Sequence, residues 1–391
     1  MKFATRTSHL NPEGAYQVLA RATQLEAEGC EIVHFEIGQP DYATFENVVE
    51  AGVSAIRSGK TRYTPPAGMM SLRAAIAEDS GQRRGIKIEP EEVVVSPGGK
   101  PNLFFPTLAL IEPGDEVIYP NPGFPTYEAM IRVAGGIPVA VPLLEQNSFS
   151  FDLAAFDKLI NERTKLIILN SPGNPTGGVI PLDDLKHIAV QAQQFNCWVM
   201  SDEIYARITY DGLTAPSIAA LPGMKERTII VDGFSKTYSM TGWRLGYGIM
   251  PRELAARVDL LLTHSIGSTA HFTQFAGLEA VTGPQEMVNA MRAEYERRRN
   301  VIVDGLNGIP GFSCQKPQGA FYAFPNITAT GMSSNDLANL ILEKAGVALL
   351  PGSSFGNYGE GYLRLSYANS IENIQKGLEK IQAVMKENAT P

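Results

Sequence analysis

Between about residues 90 and 250, short apolar runs alternate with stretches of helical periodicity. This alternation restricts the fold more than any other feature of the chain. The runs are EVVVS (92–96), DEVIYP (115–120), IPVAVPL (137–143), KLIILN (165–170), CWVM (197–200), TIIVD (228–232) and RLGYGIM (244–250). Runs this dense in Val and Ile read as strands buried on both faces. Between two of them lies PLDDLKHIAVQAQQF (181–195), where Leu185, Ile188, Ala189 and Ala192 fall on one helical face. Strands and helices in alternation predict a mostly parallel sheet covered by helices.

The remainder of the chain reads differently. Residues 284–306 predict a long charged helix, followed by GAFYAFP, a helical NDLANLILEKAG, VALLPG, YLRLSYA and a final amphipathic helix, ENIQKGLEKIQAVMKEN. That is the pattern of a smaller α+β domain. At 391 residues the chain is long enough for two domains with well-buried cores.

Composition removes whole classes of function. A net charge of −8 argues against a nucleic-acid footprint, which needs a basic patch. No apolar run approaches the roughly 18 residues of a membrane span. The N-terminal MKFATRTSHLNPEG has no apolar core and does not read as a signal peptide. Cys30, Cys197 and Cys314 are scattered and odd in number, which fits a reducing cytoplasm. The five histidines show no metal-ligand spacing.

Three short motifs mislead. SGKTRY (58–63) contains GKT, but a P-loop needs glycine where Ser54 stands, and the preceding residues read as helix. GSSFG (352–356) would make Ser354 a hydrolase nucleophile, but no histidine follows His271. GGK (98–100) is not a dinucleotide fingerprint.

The polar clusters are more informative. SPGNPTG (171–177), SDEIY (201–205) and DGFSKTYSMTGWRLGYG (232–248) each sit at or beside the C-terminal end of an apolar run. Ligands bind at that edge of an open parallel sheet. In the third cluster, the Lys236 amine suits a Schiff base with a carbonyl compound. Arg244, eight residues on, suits phosphate through bidentate hydrogen bonds. A carbonyl cofactor carrying a phosphate is pyridoxal 5′-phosphate. On this segment alone, a lysine and an arginine on a solvated loop fit equally well.

Taken together and in order, five separated motifs resemble the fold-type-I, class I/II aminotransferases, within them the aspartate aminotransferase-like group. The resemblance runs from about Asn11 to about Val384. It implies a large cofactor-binding domain (38–283) with a seven-stranded sheet and a small domain (284–391) joined by the N-terminal segment (1–37). The active site then lies in the cleft between them.

The resemblance also implies roles. Lys236 holds the cofactor as an internal aldimine and then moves the proton at Cα. Asp202 keeps the pyridine nitrogen protonated so that the ring acts as an electron sink; its bland alternative is the N-cap of a helix beginning EIYAR. Tyr205 and Asn174 hydrogen-bond the phenolic oxygen; NP and PG turn chemistry is the plainer account of the Asn174 segment. Arg244 binds the phosphate with the Gly99 and Lys100 amides at a helix N-terminus. The family often has serine where Gly233 stands, so Ser235 or a backbone amide takes that contact. Phe124, in NPGFPTY, stacks on the ring, unless it is a core phenylalanine. Tyr63, in RYTPPAG, reaches the phosphate of a neighbouring subunit, which implies a homodimer with shared sites. Arg364, in YLRLSYAN, grips the substrate α-carboxylate. The Gly38 backbone, in EIGQPDY, lies over the substrate, beside Gln39 where the family more often has Glu.

Three stretches bear on the substrate side chain. LLTHSIGSTAHFTQ (261–274), the stretch where some members supply a cross-subunit arginine, holds only His264 and His271. Lys100 matches a lysine that meets the distal carboxylate in another aspartate aminotransferase subgroup. That subgroup also uses Ser and Thr near its N-terminus, where this chain reads PEGAYQV (12–18) with the bulkier Tyr16. The expected reaction is transfer of an amino group from an L-amino acid to a 2-oxo acid, with an acidic partner on at least one side. The alternative is another pyridoxal-phosphate reaction at Cα or Cβ, such as a C–S lyase. A cofactor-sensing regulator on this fold would need a DNA-binding module, which the acidic charge opposes.

Overall fold

The structure, a computed structural model of the chain, describes residues 3–8, 10 and 14–388. Asn11, Pro12 and Glu13 of the N-terminal stretch lie outside the described residues.

All seven runs form strands of one sheet. Its order is Val93–Ser96, Gly246–Ile249, Thr228–Gly233, Trp198–Asp202, Thr164–Asn170, Glu116–Asn121, Ile137–Leu144 and Ser150–Phe151. The last is a two-residue addition to the expected seven. It pairs antiparallel with the end of Ile137–Leu144 and turns the edge back on itself. The five strands from Thr228–Gly233 to Ile137–Leu144 are parallel. Gly246–Ile249 runs antiparallel to both of its neighbours.

Two-sided burial explains why these runs are apolar throughout. Leu166 and Ile168 face one core with Val117, Met200 and Ile229. Ile167 and Leu169 face the other with Ile118 and Val199. Successive side chains of a strand point to opposite faces, so a strand covered on both sides has no polar face. The expected helix spans Leu182–Gln194 and buries the four residues named from its periodicity.

In the C-terminal region, the helix Glu286–Asn307 packs against Ile371–Asn388. Tyr322–Ala323, Leu363–Ser366 and Leu350–Pro351 form a three-stranded antiparallel sheet. Val33–His34 pairs in parallel with Val347–Ala348. The helix Gly14–Ala27 packs Ala22 and Leu25 against Leu342 and Ala348. NDLANLILEKAG forms Ser334–Leu340 and then widens into a π turn, Ile341–Ala345. A helix, Glu46–Arg57, precedes SGKTRY, as a P-loop would not allow.

Candidate active site

Strand register sets the geometry of the site. Asn170 pairs with Asp202, and Asp202 with Val231, so three polar clusters open at one edge of the sheet. The SPGNPTG loop is tied to the next strand: the Ser171 amide and Asn170 Nδ2 both donate to the Asp202 carbonyl, each at 3.1 Å. The Asn174 amide donates to Asn170 Oδ1 at 2.8 Å, and Gly177 closes the turn with a φ of +68°. A Cβ at Gly177 would stand 2.5 Å from Pro317, so only glycine passes there.

Asp202 is buried at the end of its strand. Tyr127 Oη donates to its Oδ2 at 2.7 Å and the Ile204 amide to its Oδ1 at 3.2 Å. Residues 204–207 form a turn and no helix, so Asp202 caps none. Burial pushes its carboxyl up to about 6, although the Tyr127 hydrogen bond favours the charged form. The neighbouring carboxylates are neutralised: Arg84 pairs with Glu203 at 2.7 Å and, like Arg83, reaches Asp232 at 3.4 Å. Asp202 itself forms no ion pair among the described residues. A buried carboxylate in that position calls for a cation from outside the chain.

Lys236 lies in the short helix Phe234–Thr237, directly after the strand Thr228–Gly233. Its Nζ donates to the Gly38 carbonyl at 2.5 Å and stands 5.8 Å from the Phe321 ring and 6.0 Å from that of Tyr205. Burial, with Arg364 and Arg244 nearby, brings its ammonium down to about 8. A depressed lysine of this kind is a usable nucleophile and base.

Gly233, where the family often has serine, is closely packed: a Cβ there would lie 3.1 Å from the Gly246 Cα and 3.3 Å from Ile204 Cδ1. Gly233 pairs with Gly246, whose own Cβ would lie 2.5 Å from the backbone of Gly98. The SPGG turn therefore packs directly on strand backbone. It leads into the helix Lys100–Leu110, with Gly99 at its N-cap. Arg244 precedes the strand start at Gly246, in a left-handed conformation (φ 54°), and a Cβ on Gly98 would meet its Nη2 at 2.4 Å. Ser235, next to Lys236, is partly exposed. Lys100 Nζ stands 5.3 Å from the Phe124 ring, which meets Tyr127 edge-on at 5.7 Å.

Arg364 comes from the small antiparallel sheet. Its Nη1 donates to Asn174 Oδ1 at 3.0 Å and its Nη2 to the Glu36 carbonyl. The guanidinium lies 4.6 Å from the Tyr322 ring and 4.9 Å from that of Phe355. Tyr322 Oη is 2.7 Å from Tyr205 Oη and occupies the space a Gly38 side chain would need.

The structure thus gathers Gly38, Asn174, Tyr205, Lys236 and Arg364 by direct contacts and places Asp202 beside them on the same sheet edge. Gly99, Phe124 and Arg244 belong to the adjoining turns, and Lys100 and Ser235 to the starts of the adjoining helices. Tyr63 does not join them; its side chain is 99% exposed. Tyr16 is also exposed. Sequence reasoning gave no role to Tyr127, Tyr322, Gly98 or Gly246. The first two stand in plain view in NPGFPTY and GAFYAFP, but nothing local marks them.

The donor set fits pyridoxal 5′-phosphate. Arg244 and a helix N-terminus suit the phosphate, Lys236 the carbonyl carbon, and the unpaired Asp202 carboxylate a protonated ring nitrogen.

Known proteins point the same way. Residues 31–381 match the model for aminotransferase class I and II. A probable aspartate/prephenate aminotransferase of Aquifex aeolicus is 40% identical, with 98% of each chain covered. The structure of Thermus thermophilus aspartate aminotransferase with maleate is 37% identical, superposes with a TM-score of 0.94, and covers 98% of this chain and 100% of that one. The aromatic aminotransferase of Pyrococcus horikoshii is 38% identical with a TM-score of 0.89, covering 94% and 99%.

Proposed function

The chain belongs to the class I and II aminotransferases, and from that premise we propose which residues do the work and on what substrate. It is an aminotransferase; the reading is of a ping-pong exchange between an L-amino acid and a 2-oxo acid, with a dicarboxylate (aspartate, glutamate or 2-oxoglutarate) on at least one side. The observation that carries the assignment of roles is Lys236, depressed to about 8 and held against Gly38, beside a buried Asp202 lacking a cation.

Lys236, Asp202, Tyr205, Asn174, Phe124, Arg244, Ser235 and the Gly99 and Lys100 amides would hold pyridoxal 5′-phosphate. That group supplies, when bound, a carbonyl carbon and a ring able to store the electron pair left on Cα. Asp202 would hold the proton on its ring nitrogen. Tyr205 and Asn174 would donate to its phenolic oxygen. Arg364 receives the substrate α-carboxylate in place of its present acceptors, Asn174 Oδ1 and the Glu36 carbonyl, and its planar fork orients Cα. Lys236, part neutral near pH 8, takes the Cα proton and returns it. Gly38 closes the site from above, because its backbone leaves room for a substrate where any side chain would meet Tyr322.

Lys100 is the group we assign to a distal carboxylate. It lies over Phe124, next to both the phosphate turn and the ring site. Its charge supports an acidic partner, as does the aspartate chemistry in the names of two of the relatives. The aromatic enzyme among the neighbours supports acceptance of neutral or aromatic donors as well.

The chain divides in this reading into a large domain (38–283) and a small one (284–391) joined by residues 1–37, supported by the pairing of Val33–His34 with Val347–Ala348. It works as a homodimer in which Tyr63 reaches the partner's phosphate site; a tyrosine ring with nearly all its surface in water supports that assignment. The three cysteines are unpaired, which suits a reducing compartment such as the cytoplasm. Among the described residues no helix is long and apolar enough to cross a membrane.

The test is incubation of the holoenzyme with single amino acids, with and without a 2-oxo acid. A transaminase stops after one half-turnover until an oxo acid is added. Continued turnover on an amino acid alone would establish a lyase instead.

A further inference from the structure

Tyr322, like Asn174, touches both the cofactor-facing and the substrate-facing halves of the site. It is 1% exposed. Its hydroxyl lies 2.7 Å from Tyr205 Oη, its ring 4.6 Å from the Arg364 guanidinium. The sheet builds this arrangement. Tyr322 pairs with Ser366, so Arg364 sits two residues along on the same face, a diagonal cross-strand neighbour.

Counting protons gives the hydrogen bond a direction. Each tyrosine carries one proton, and a buried hydroxyl proton needs an acceptor. Among the described residues, Tyr205 Oη is the one hydrogen-bond partner recorded for Tyr322 Oη. If Tyr205 donated to Tyr322, the Tyr322 proton would be stranded and Tyr205 would have none left for the phenolic oxygen. Only the order Tyr322 to Tyr205 to cofactor uses both protons.

We propose that Tyr322 is a positioning residue with two separable actions: its hydroxyl donates to Tyr205 and so aims the Tyr205 proton at the phenolic oxygen, while its ring backs the Arg364 guanidinium that grips the α-carboxylate. This rests on the roles proposed above for Tyr205 and Arg364. Two variants divide the actions. Tyr322→Phe removes only the hydroxyl; Tyr322→Leu removes the aromatic face as well.

The experiment uses pyridoxal-phosphate-loaded protein, its fold and oligomeric size matched to wild type. For Tyr322→Phe, loss of one neutral hydrogen bond predicts a kcat reduced roughly 3- to 10-fold. KM for aspartate and for a neutral amino acid should stay within about twofold. The pKa of the visible lysine–cofactor absorption band should rise, because a less well-aimed Tyr205 stabilises the phenolate less. For Tyr322→Leu, KM should additionally rise roughly 5- to 30-fold for every amino acid, reflecting the lost cation–π contact in a dry site. A Tyr322→Phe enzyme with wild-type kcat and band titration overturns the proton-aiming role. Equal KM values in the two variants overturn the Arg364 role. Arg364→Lys and Tyr205→Phe serve as controls: if they too behave as wild type, the underlying site assignment has failed, whereas if they are impaired and the Tyr322 variants are not, only the present inference falls.

Discussion

Replacing Asp202 by Asn should make the cofactor-free chain more stable while disabling the enzyme. In the folded chain, burial raises this carboxyl from 3.8 to about 6. The native state therefore holds a proton between those values that the unfolded chain has lost. Stability contributed by the protonated form is full below about pH 4 and is lost as pH rises through about 6. A gap of about 2 units corresponds to about 3 kcal/mol of destabilisation by the buried charge at pH 8. Asn has the same shape and no charge: its oxygen can accept from the Ile204 amide, and its NH2 can donate to Tyr127 Oη, the groups now bonded to the carboxylate. One remaining N–H and the Tyr127 hydroxyl proton, which now goes to the carboxylate, are left unmatched, which lowers the expected gain to about 0–2 kcal/mol. Urea unfolding of stripped wild type and Asp202→Asn at about pH 4 and pH 8 reads this directly. The variant should gain at pH 8, and the gain should fade at pH 4. With pyridoxal phosphate bound the order should reverse, because the carboxylate then has a cationic partner, and turnover should fall on the order of 10²–10³-fold. A stripped variant less stable than wild type at pH 8, or a gain independent of pH, would refute the claim that Asp202 is a buried charge awaiting its counter-ion.

Three further outcomes follow from the same geometry. Borohydride reduction and peptide mapping should place a pyridoxyl label on Lys236 alone; a label on another lysine overturns its role. Arg364→Lys should raise KM for all amino acids alike, since a point charge cannot match the planar fork held by Asn174 and Glu36; an effect confined to one side-chain class means that Arg364 reads the side chain instead. Lys100→Ala should cost an acidic substrate roughly 1.5–3 kcal/mol in kcat/KM and a neutral one far less, whereas equal losses would assign Lys100 to the phosphate turn.

The chain alone determined the strands and the main helices, because the signals are local. A strand buried on both faces must be apolar at every position, and a half-buried helix must repeat near 3.6, so KLIILN and PLDDLKHIAVQAQQF announce themselves. The polar clusters after those strands, with their motif spacing, also pointed to the edge where a ligand binds. What local pattern cannot carry is which distant segments meet. The antiparallel insertion of Gly246–Ile249 between two parallel strands depends on how the chain returns, and it brings Gly246 so close to the backbone of Gly98 that no room is left for a side chain at Gly246. The shifted protonation of Asp202 and Lys236 arises from burial and from charges far away in sequence. Tyr322 looks like a core aromatic in GAFYAFP, and only the cross-strand diagonal to Arg364 and the contact with Tyr205, 117 residues away, give it chemistry. Periodicity records whether a side chain is buried; tertiary structure decides what it is buried against.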